Sequence, residues 1–456
     1  MNEDSLKKAL TGKLITALDP GFRETADGLI WNGRKPAVRA RYIVHAATVA
    51  DVQLCVRFAA ANGLTVSPRG GGHHFTGIAT QADMVVDLAA LDHLAIDARA
   101  RLCEAGPAVT NERLNAALDR HGFGFPVGHC GSVPLSGYLL GGGVGWNAGQ
   151  WGIACFLIES ADVVLPDGSL VTVSETDHPD IFWAMRGAGP GFFGIVTAYR
   201  LKLLPAAQST LSTVRVYPAA LARTVAGWMD AASQRAPANV EMTLKVETQL
   251  GPIGPVLATT AILTAFGSSE AEAKAILEEI GRDAPDGCFA LMPEMPTPIA
   301  ALYEMTASGA PKGKRYAVDS LWSDADLGAV VAHIVEGMER APSSSSFAVI
   351  SPGSRHASVP GDAAFSRIGA IFGAVYTVWD APADDAVNMT WLRDLLDRAT
   401  PLKTGIYVGY GDIGLPSRRN ETHSPAAAAR LALLRRRYDG NGLFLRHPDP
   451  AMDKVA

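Results

Sequence analysis

Apolar residues recur with helical spacing from Val49 to Asn62, with Thr48 or Asp51 placed to cap the first turn and Gly63 to end the last, so a helix is expected there. Leu64 to Pro68 then reads as a strand that feeds directly into Arg69-Gly70-Gly71-Gly72. A second strand is expected over Asp83 to Leu88, and a helix over Asn111 to Arg120 with Thr110 as N-cap and Gly122 as terminator. Ala161 to Leu165 and Leu170 to Val173 flank Pro166-Asp167-Gly168, a hairpin-turn signal. A short amphipathic helix around Asp177 to Arg186 leads through a glycine-rich bend into the strand Ile195 to Leu203.

After about Pro205 the pattern lengthens. Alternating strands are expected at Thr213 to Tyr217, Val240 to Thr248 and Val256 to Phe266, then a helix from Ser269 to Ile280 with Ala273, Ile276, Leu277 and Ile280 on one face. The polar break Pro342-Ser343-Ser344-Ser345-Ser346 precedes more strands, of which Gly369 to Val378 and Gly405 to Tyr410 are the clearest, and a helix over Pro425 to Tyr438 leads into a glycine-rich tail. Strand runs interleaved with a few long helices give an α+β class, an antiparallel sheet with helices on one face. A chain of 456 residues exceeds the size at which one core stops growing, so two domains are expected.

Composition narrows the partners. Hydrophobic residues make up 48% of the chain, enough for a sizeable core, and the net charge of −6 comes from interspersed signs with no basic cluster, which excludes nucleic acid as the expected partner. The first thirty residues mix Glu, Asp and Lys with no apolar leader, and no run of 18 apolar residues occurs, so a cytoplasmic protein without a membrane partner is expected. Five cysteines (55, 103, 130, 155 and 288) argue against a disulfide framework. Cys55, Cys103 and Cys155 lie among apolar residues and read as small buried hydrophobes. Cys130 stands apart, between His129 and Gly131 in a glycine-rich turn.

Candidate chemistry collects in two such turns, Arg69-Gly70-Gly71-Gly72-His73-His74 and the stretch from Cys130-Gly131-Ser132-Val133 to Gly141-Gly142-Gly143-Val144-Gly145. Glycine lets backbone approach a ligand closely, and successive N–H groups in the turn after Pro68 can cradle a phosphate. A third run, Gly187 to Gly194, has a helix before it and a strand after it, the reverse of a dinucleotide fingerprint. No metal is expected: adjacent histidines on an extended segment face opposite ways, and neither C-x-x-C nor H-E-x-x-H occurs. Gly128-His129-Cys130-Gly131-Ser132 lacks the second glycine of a nucleophile elbow. Taken singly, His73 and Cys130 read as structural residues.

Together they do not. The order Thr48-Val49-Ala50-Asp51-Val52, Arg69 to His73, Val86-Asp87-Leu88, Ala105-Gly106-Pro107, Cys130 to Gly145, Ala161 to Val164, Asp180 to Ala184 and Phe193 to Thr197 resembles the vanillyl-alcohol-oxidase/p-cresol-methylhydroxylase superfamily, and within it the berberine-bridge-enzyme-like oxidases. The resemblance implies a PCMH-type FAD-binding domain over residues 1–205, a substrate-binding domain over 206–415 and a segment 416–456 returning to the first. It implies FAD bonded twice, through the 8α-methyl to His73 and through C6 to Cys130. Val133 matches a position where a small valine is associated with dioxygen access, and Tyr138 a position near the ribityl chain and N1. Gly70, Gly71, Gly72, Gly141, Gly142, Gly143 and Gly145 would lie against flavin and pyrophosphate, Ile195 and Val196 near the adenine, with Arg69, His74 and Gly137 in the same cofactor site.

Gly405-Ile406-Tyr407-Val408-Gly409-Tyr410 resembles the family's Tyr-x-Asn segment, which makes Tyr407 the candidate base while hydride passes to flavin N5. A tyrosine titrating near ~10 needs a positive or hydrogen-bonding neighbour for that task. Gly409 replaces the usual asparagine, and Phe156-Leu157 a usual Asp-Asn. The implied activity is oxidation of a small organic molecule (an alcohol, phenol, saccharide or intermediate of secondary metabolism) by a monomer or homodimer, with dioxygen accepting the electrons as hydrogen peroxide. A dehydrogenase with another acceptor and a non-catalytic flavin carrier are the alternatives. Arg355, His356 and Arg367 are candidates to meet an acidic substrate or to form surface ion pairs.

Overall fold

A computed structural model describes residues 2–37, 40–353 and 361–445. The helix expected after Thr48 runs Val49–Ala61, and Thr48 and Asp51 cap it reciprocally. Asp51 also accepts N–H groups from Thr11, Gly12 and Ala47, tying the N-terminal segment to this helix. Strands Lys13–Thr16, Tyr42–His45, Met84–Asp87 and Val66–Arg69 form a mixed sheet in that order, its last two pairings parallel. The last strand therefore delivers its chain into the Gly70–Gly72 turn beside Asp87.

A second, five-stranded sheet is antiparallel throughout, in the order Leu94–Asp97, Leu102–Ala105, Ile195–Lys202, Ile158–Val164 and Leu170–Ser174. The predicted Pro166-Asp167-Gly168 turn joins the last two, with Asp167 accepting the Ser169 N–H. Helix Asn111–Asp119, capped by Thr110 as expected, leads toward the second glycine-rich stretch. One large apolar cluster runs through both sheets and their helices.

The remaining strands make a seven-stranded antiparallel sheet in the order Ala290–Pro296, Ser209–Pro218, Gly254–Gly267, Val240–Gly251, Phe347–Ser351, Ile371–Trp379 and Arg315–Ser323. Helices Ala222–Arg235, Glu270–Gly281, Leu327–Met338 and Asp385–Arg398 pack on one face of it around a second core. Alternation sorts each strand: Val240, Met242, Leu244 and Val246 point into that core, while Glu241, Thr243, Lys245 and Glu247 point to the other face.

The segment Gly405 to Tyr410 differs from the expected strand. Gly405 makes a single bridge to Trp322 and the chain then turns, with the Tyr410 N–H donating to the Tyr407 carbonyl at 3.0 Å. Its polar groups are satisfied from the sheet edge instead, since Ser320 Oγ accepts the Tyr407 N–H at 3.1 Å. Helix Pro425–Tyr438 lies along helix Pro179–Met185, with Arg430 and Arg437 on Asp180, and Tyr438 stacks on Phe193. The tail then pairs with Val66, whose N–H donates to Leu443 and whose carbonyl accepts from Leu445. No helix among the described residues is long and apolar enough to cross a membrane.

Candidate functional site

Strand Val66–Arg69 ends at a loop held from below by its own arginine. The Arg69 guanidinium donates to the carbonyls of Leu29, Gly70 and Gly71 and to Asp87. Asp87 is buried, and burial alone would raise its pKa, but a hydrogen bond from His45 and the neighbouring Arg69 charge outweigh it and hold the carboxyl below its ordinary value. Arg69 thus braces the loop through carbonyls rather than presenting its charge to a ligand. Gly72 adopts φ +65°, and a Cβ there would collide with the Leu29 carbonyl, so only glycine fits.

His73, the next residue, packs against Trp31 with ring centroids 5.3 Å apart and planes 23° from parallel. Burial, with the Arg69 charge adding to it and a hydrogen bond to the Ser132 backbone opposing it, lowers its pKa to about 4, so the ring is a neutral imidazole at physiological pH. His74 turns the other way, its Nδ1 paired with Thr76 and its Nε2 with the Val408 carbonyl.

The first turn of helix Asn111–Asp119 clasps the Cys130 loop. Asn111 accepts the Gly128 N–H at 2.9 Å and donates to the Val133 carbonyl at 2.7 Å, and the Glu112 N–H donates to the Gly131 carbonyl. This grip brings Cys130 and His73 to the same place: Ser132 Oγ lies 3.5 Å from Cys130 Sγ and 3.4 Å from His73 Nε2. Cys130 is partly exposed, whereas Cys55, Cys103 and Cys155 are buried as expected, and burial pushes the Cys55 and Cys103 thiols up to about 12.

Tyr407 approaches from the turn after Gly405. Its hydroxyl accepts the Gly143 N–H at 3.2 Å, linking this turn to the glycine run. Burial pushes the phenol well above its usual value, and the Gly143 and Val144 N–H groups at its oxygen only partly offset that. Its surroundings are aromatic, with Trp322, Phe365, Phe372 and Tyr410 rings within 6.4 Å, and no positive side chain among the described residues stands among the causes of its shift.

These parts open on one cavity of about 670 Å³, within the range of cofactor and ligand sites. Arg69, Gly70, Gly71, Gly72, His73, His74, Cys130, Val133, Gly137, Tyr138, Gly141, Gly145, Val196 and Tyr407 all line it. Gly142, Gly143 and Ile195 stand behind its wall, because Gly142 and Gly143 face Phe365 and Ala154, and Ile195 is buried within its strand. Tyr138 lines the cavity with its ring but donates its hydroxyl to the Pro126 carbonyl. Arg367 is directed at the carbonyls of His423 and Thr404, not at the cavity, while Arg355 and His356 fall outside the described residues.

Several wall residues escaped the sequence reading. Glu241 meets His129 Nε2 at 2.6 Å and the Asn147 N–H at 3.3 Å, and Trp146 packs on His129. The polar face of strand Val240–Gly251 was visible in its alternation, but what it faces was not. Trp146 Nε1 and Asn147 Oδ1 are buried on this wall without a protein partner, a donor and an acceptor for a bound polar ring. The glycine loops, the neutral histidine, the cysteine and these two atoms fit FAD. Among the described residues no group of three or more metal-binding side chains occurs.

Residues 40–174 match the family model described as FAD binding domain. FAD-linked oxidoreductase penO of Penicillium crustosum is 30% identical over 413 residues, covering 89% of this chain and 90% of that one. (R)-6-hydroxynicotine oxidase of Paenarthrobacter nicotinovorans is 34% identical over 199 residues, 43% of this chain and 42% of its own. The solved structure of BBE-like 1 from Physcomitrella patens superposes with a TM-score of 0.85 at 18% identity, covering 98% of both chains, and so shares the fold. A likeness that spans nine-tenths of a curated oxidoreductase, with FAD-binding sequence where the glycine loops stand, makes this chain a member of the FAD-linked oxidoreductases.

Proposed function

We propose that the protein is an oxidase carrying FAD bonded to both His73 and Cys130, and that it oxidises a hydroxyl-bearing organic molecule with dioxygen as electron acceptor and hydrogen peroxide as product. The observation that carries this reading is the convergence of His73 and Cys130 on Ser132 in one cavity, although 57 residues separate the two in the chain. Residues 1–205 with 416–456 form the cofactor half and 206–415 the substrate half; the pairing of Val66 with Leu443 and Leu445 supports that division. Bound there, FAD would supply a two-electron acceptor for hydride.

The chain's own groups have distinct tasks. Neutral His73 has a nitrogen lone pair available for bond formation, and the Asn111 clasp holds the Cys130 sulfur beside it. Tyr407 would take up the substrate's hydroxyl proton only in its phenolate form, which burial disfavours and the Gly143 N–H at its oxygen favours. The polar face of strand Val240–Gly251, with Thr260 and Thr264 from its neighbour, forms a floor suited to hydroxyl groups, and Phe347, Phe372 and Tyr376 give it aromatic sides. Names among the relatives, an (R)-6-hydroxynicotine oxidase and a xylooligosaccharide oxidase, support a small molecule of the alcohol, phenol, saccharide or natural-product kind.

Intact mass after acid denaturation tests the double attachment. His73→Ala and Cys130→Ala should each keep flavin through the surviving bond, and only the double variant should release it; complete release from either single variant removes one anchor. Anaerobic reduction by substrate followed by mixing with air tests the acceptor. Slow reoxidation would make the enzyme a dehydrogenase.

A further inference from the structure

Among the described residues, Ser132 places its hydroxyl within hydrogen-bonding reach of both proposed anchors, 3.5 Å from Cys130 Sγ and 3.4 Å from His73 Nε2. It lies 59 positions from His73, so the contact is made by the fold and not by neighbourhood in the chain. A hydroxyl both donates and accepts, so it can serve two partners at once. The ring on one side is held by Trp31 and is neutral, with a single N–H to place on one of its two nitrogens. On the other side the Cys130 loop is gripped at Gly128, Gly131 and Val133 by the helix start.

We propose that Ser132 is the positioning residue for cofactor attachment: by accepting the Nε2–H of His73 it keeps the lone pair on Nδ1, and by donating to Cys130 Sγ it holds the sulfur beside that ring. The inference rests on the bicovalent reading above. The bookkeeping at each anchor is the same. At His73 a C–N bond forms as the imidazole gives up its N–H hydrogen and the 8α-methyl one hydrogen. At Cys130 a C–S bond forms as the S–H hydrogen and the C6 hydrogen leave. Each attachment releases two hydrogens with two electrons, which dioxygen takes up as one hydrogen peroxide. Ser132 is unchanged by either step.

Peptide mass mapping of acid-denatured protein reads the outcome as flavin on the His73 peptide alone, on the Cys130 peptide alone, or joining the two. Wild type should yield mainly the joined pair. Ser132→Val should lower the joined fraction about tenfold, the worth of one hydrogen bond of ~1.4 kcal/mol, and leave flavin on a single anchor. Ser132→Thr, matching valine in size but keeping the hydroxyl, should restore it. An undiminished joined fraction in the valine variant, or equal loss in both variants, overturns the role of Ser132 and leaves double attachment standing. Wild-type protein with flavin on one anchor or none overturns both.

Discussion

Tyr407 offers an oxygen that already accepts a backbone N–H and sits among four aromatic rings, so its value lies in where it is held more than in how readily it ionises. Replacing it with phenylalanine should slow reduction of the bound flavin by substrate about 100-fold, the lower range for loss of a positioned proton acceptor, while the absorbance of the bound cofactor stays unchanged. Stopped-flow reduction checks this, and an unaltered rate removes Tyr407 from the chemistry. Asp87 invites a different test. Its carboxyl is depressed by His45 and Arg69, so the stability it contributes is complete above the unfolded value of 3.8 and is lost as pH falls through the lower folded value. Asp87→Asn should cost about 3 kcal/mol at pH 7, because Arg69 is left without its charged partner. The gap between the two proteins should close on acidification below that window, as urea unfolding across pH would show.

At the scale of elements, helices with local signals were legible and segments fixed by distant partners were not. The helix Val49–Ala61 announces itself through Thr48, Asp51 and Gly63, and the helix Asn111–Asp119 through Thr110. The Tyr407 segment reads as a strand because Ile406, Val408 and Tyr410 favour extended backbone, yet the partner its N–H finds is a serine hydroxyl 87 positions away. Helices Leu327–Met338 and Asp385–Arg398 were less legible because they end at Glu339 and Ala399, with no glycine stop signal like Gly63 or Gly122. In the site, glycine, histidine and cysteine were readable as residue types. Ser132, Glu241 and Trp146 were not, because their meaning depends on neighbours that only the tertiary structure supplies. One element's energetics can be checked directly. Thr48→Ala should destabilise by about 1 kcal/mol as a lost cap, whereas Asp51→Ala should cost about 3 kcal/mol, since four backbone N–H groups lose a buried acceptor. Equal losses for the two would show that the N-terminal segment gains nothing from Asp51.

For the molecule as a whole, the cofactor loop depends on the far end of the chain. Val66 pairs with Leu443 and Leu445, and Leu443 and Phe444 are buried there. Ending the chain at Tyr438 should cost about 4 kcal/mol from these two apolar side chains alone, and flavin content per protein should fall with thermal stability. Retention of both would mean that the strand before Arg69 stands without the tail. The seven-stranded sheet carries a different consequence. Its helix-covered side determines whether the chain folds, and its opposite side shapes the chamber where substrate would lie. If substrate lies there as proposed, exchanges at Thr243, Thr260 or Val349 should alter what the enzyme accepts without touching the helix-covered core. Selectivity is free to drift over generations, or to be redirected by a library confined to such positions, with little penalty in foldability.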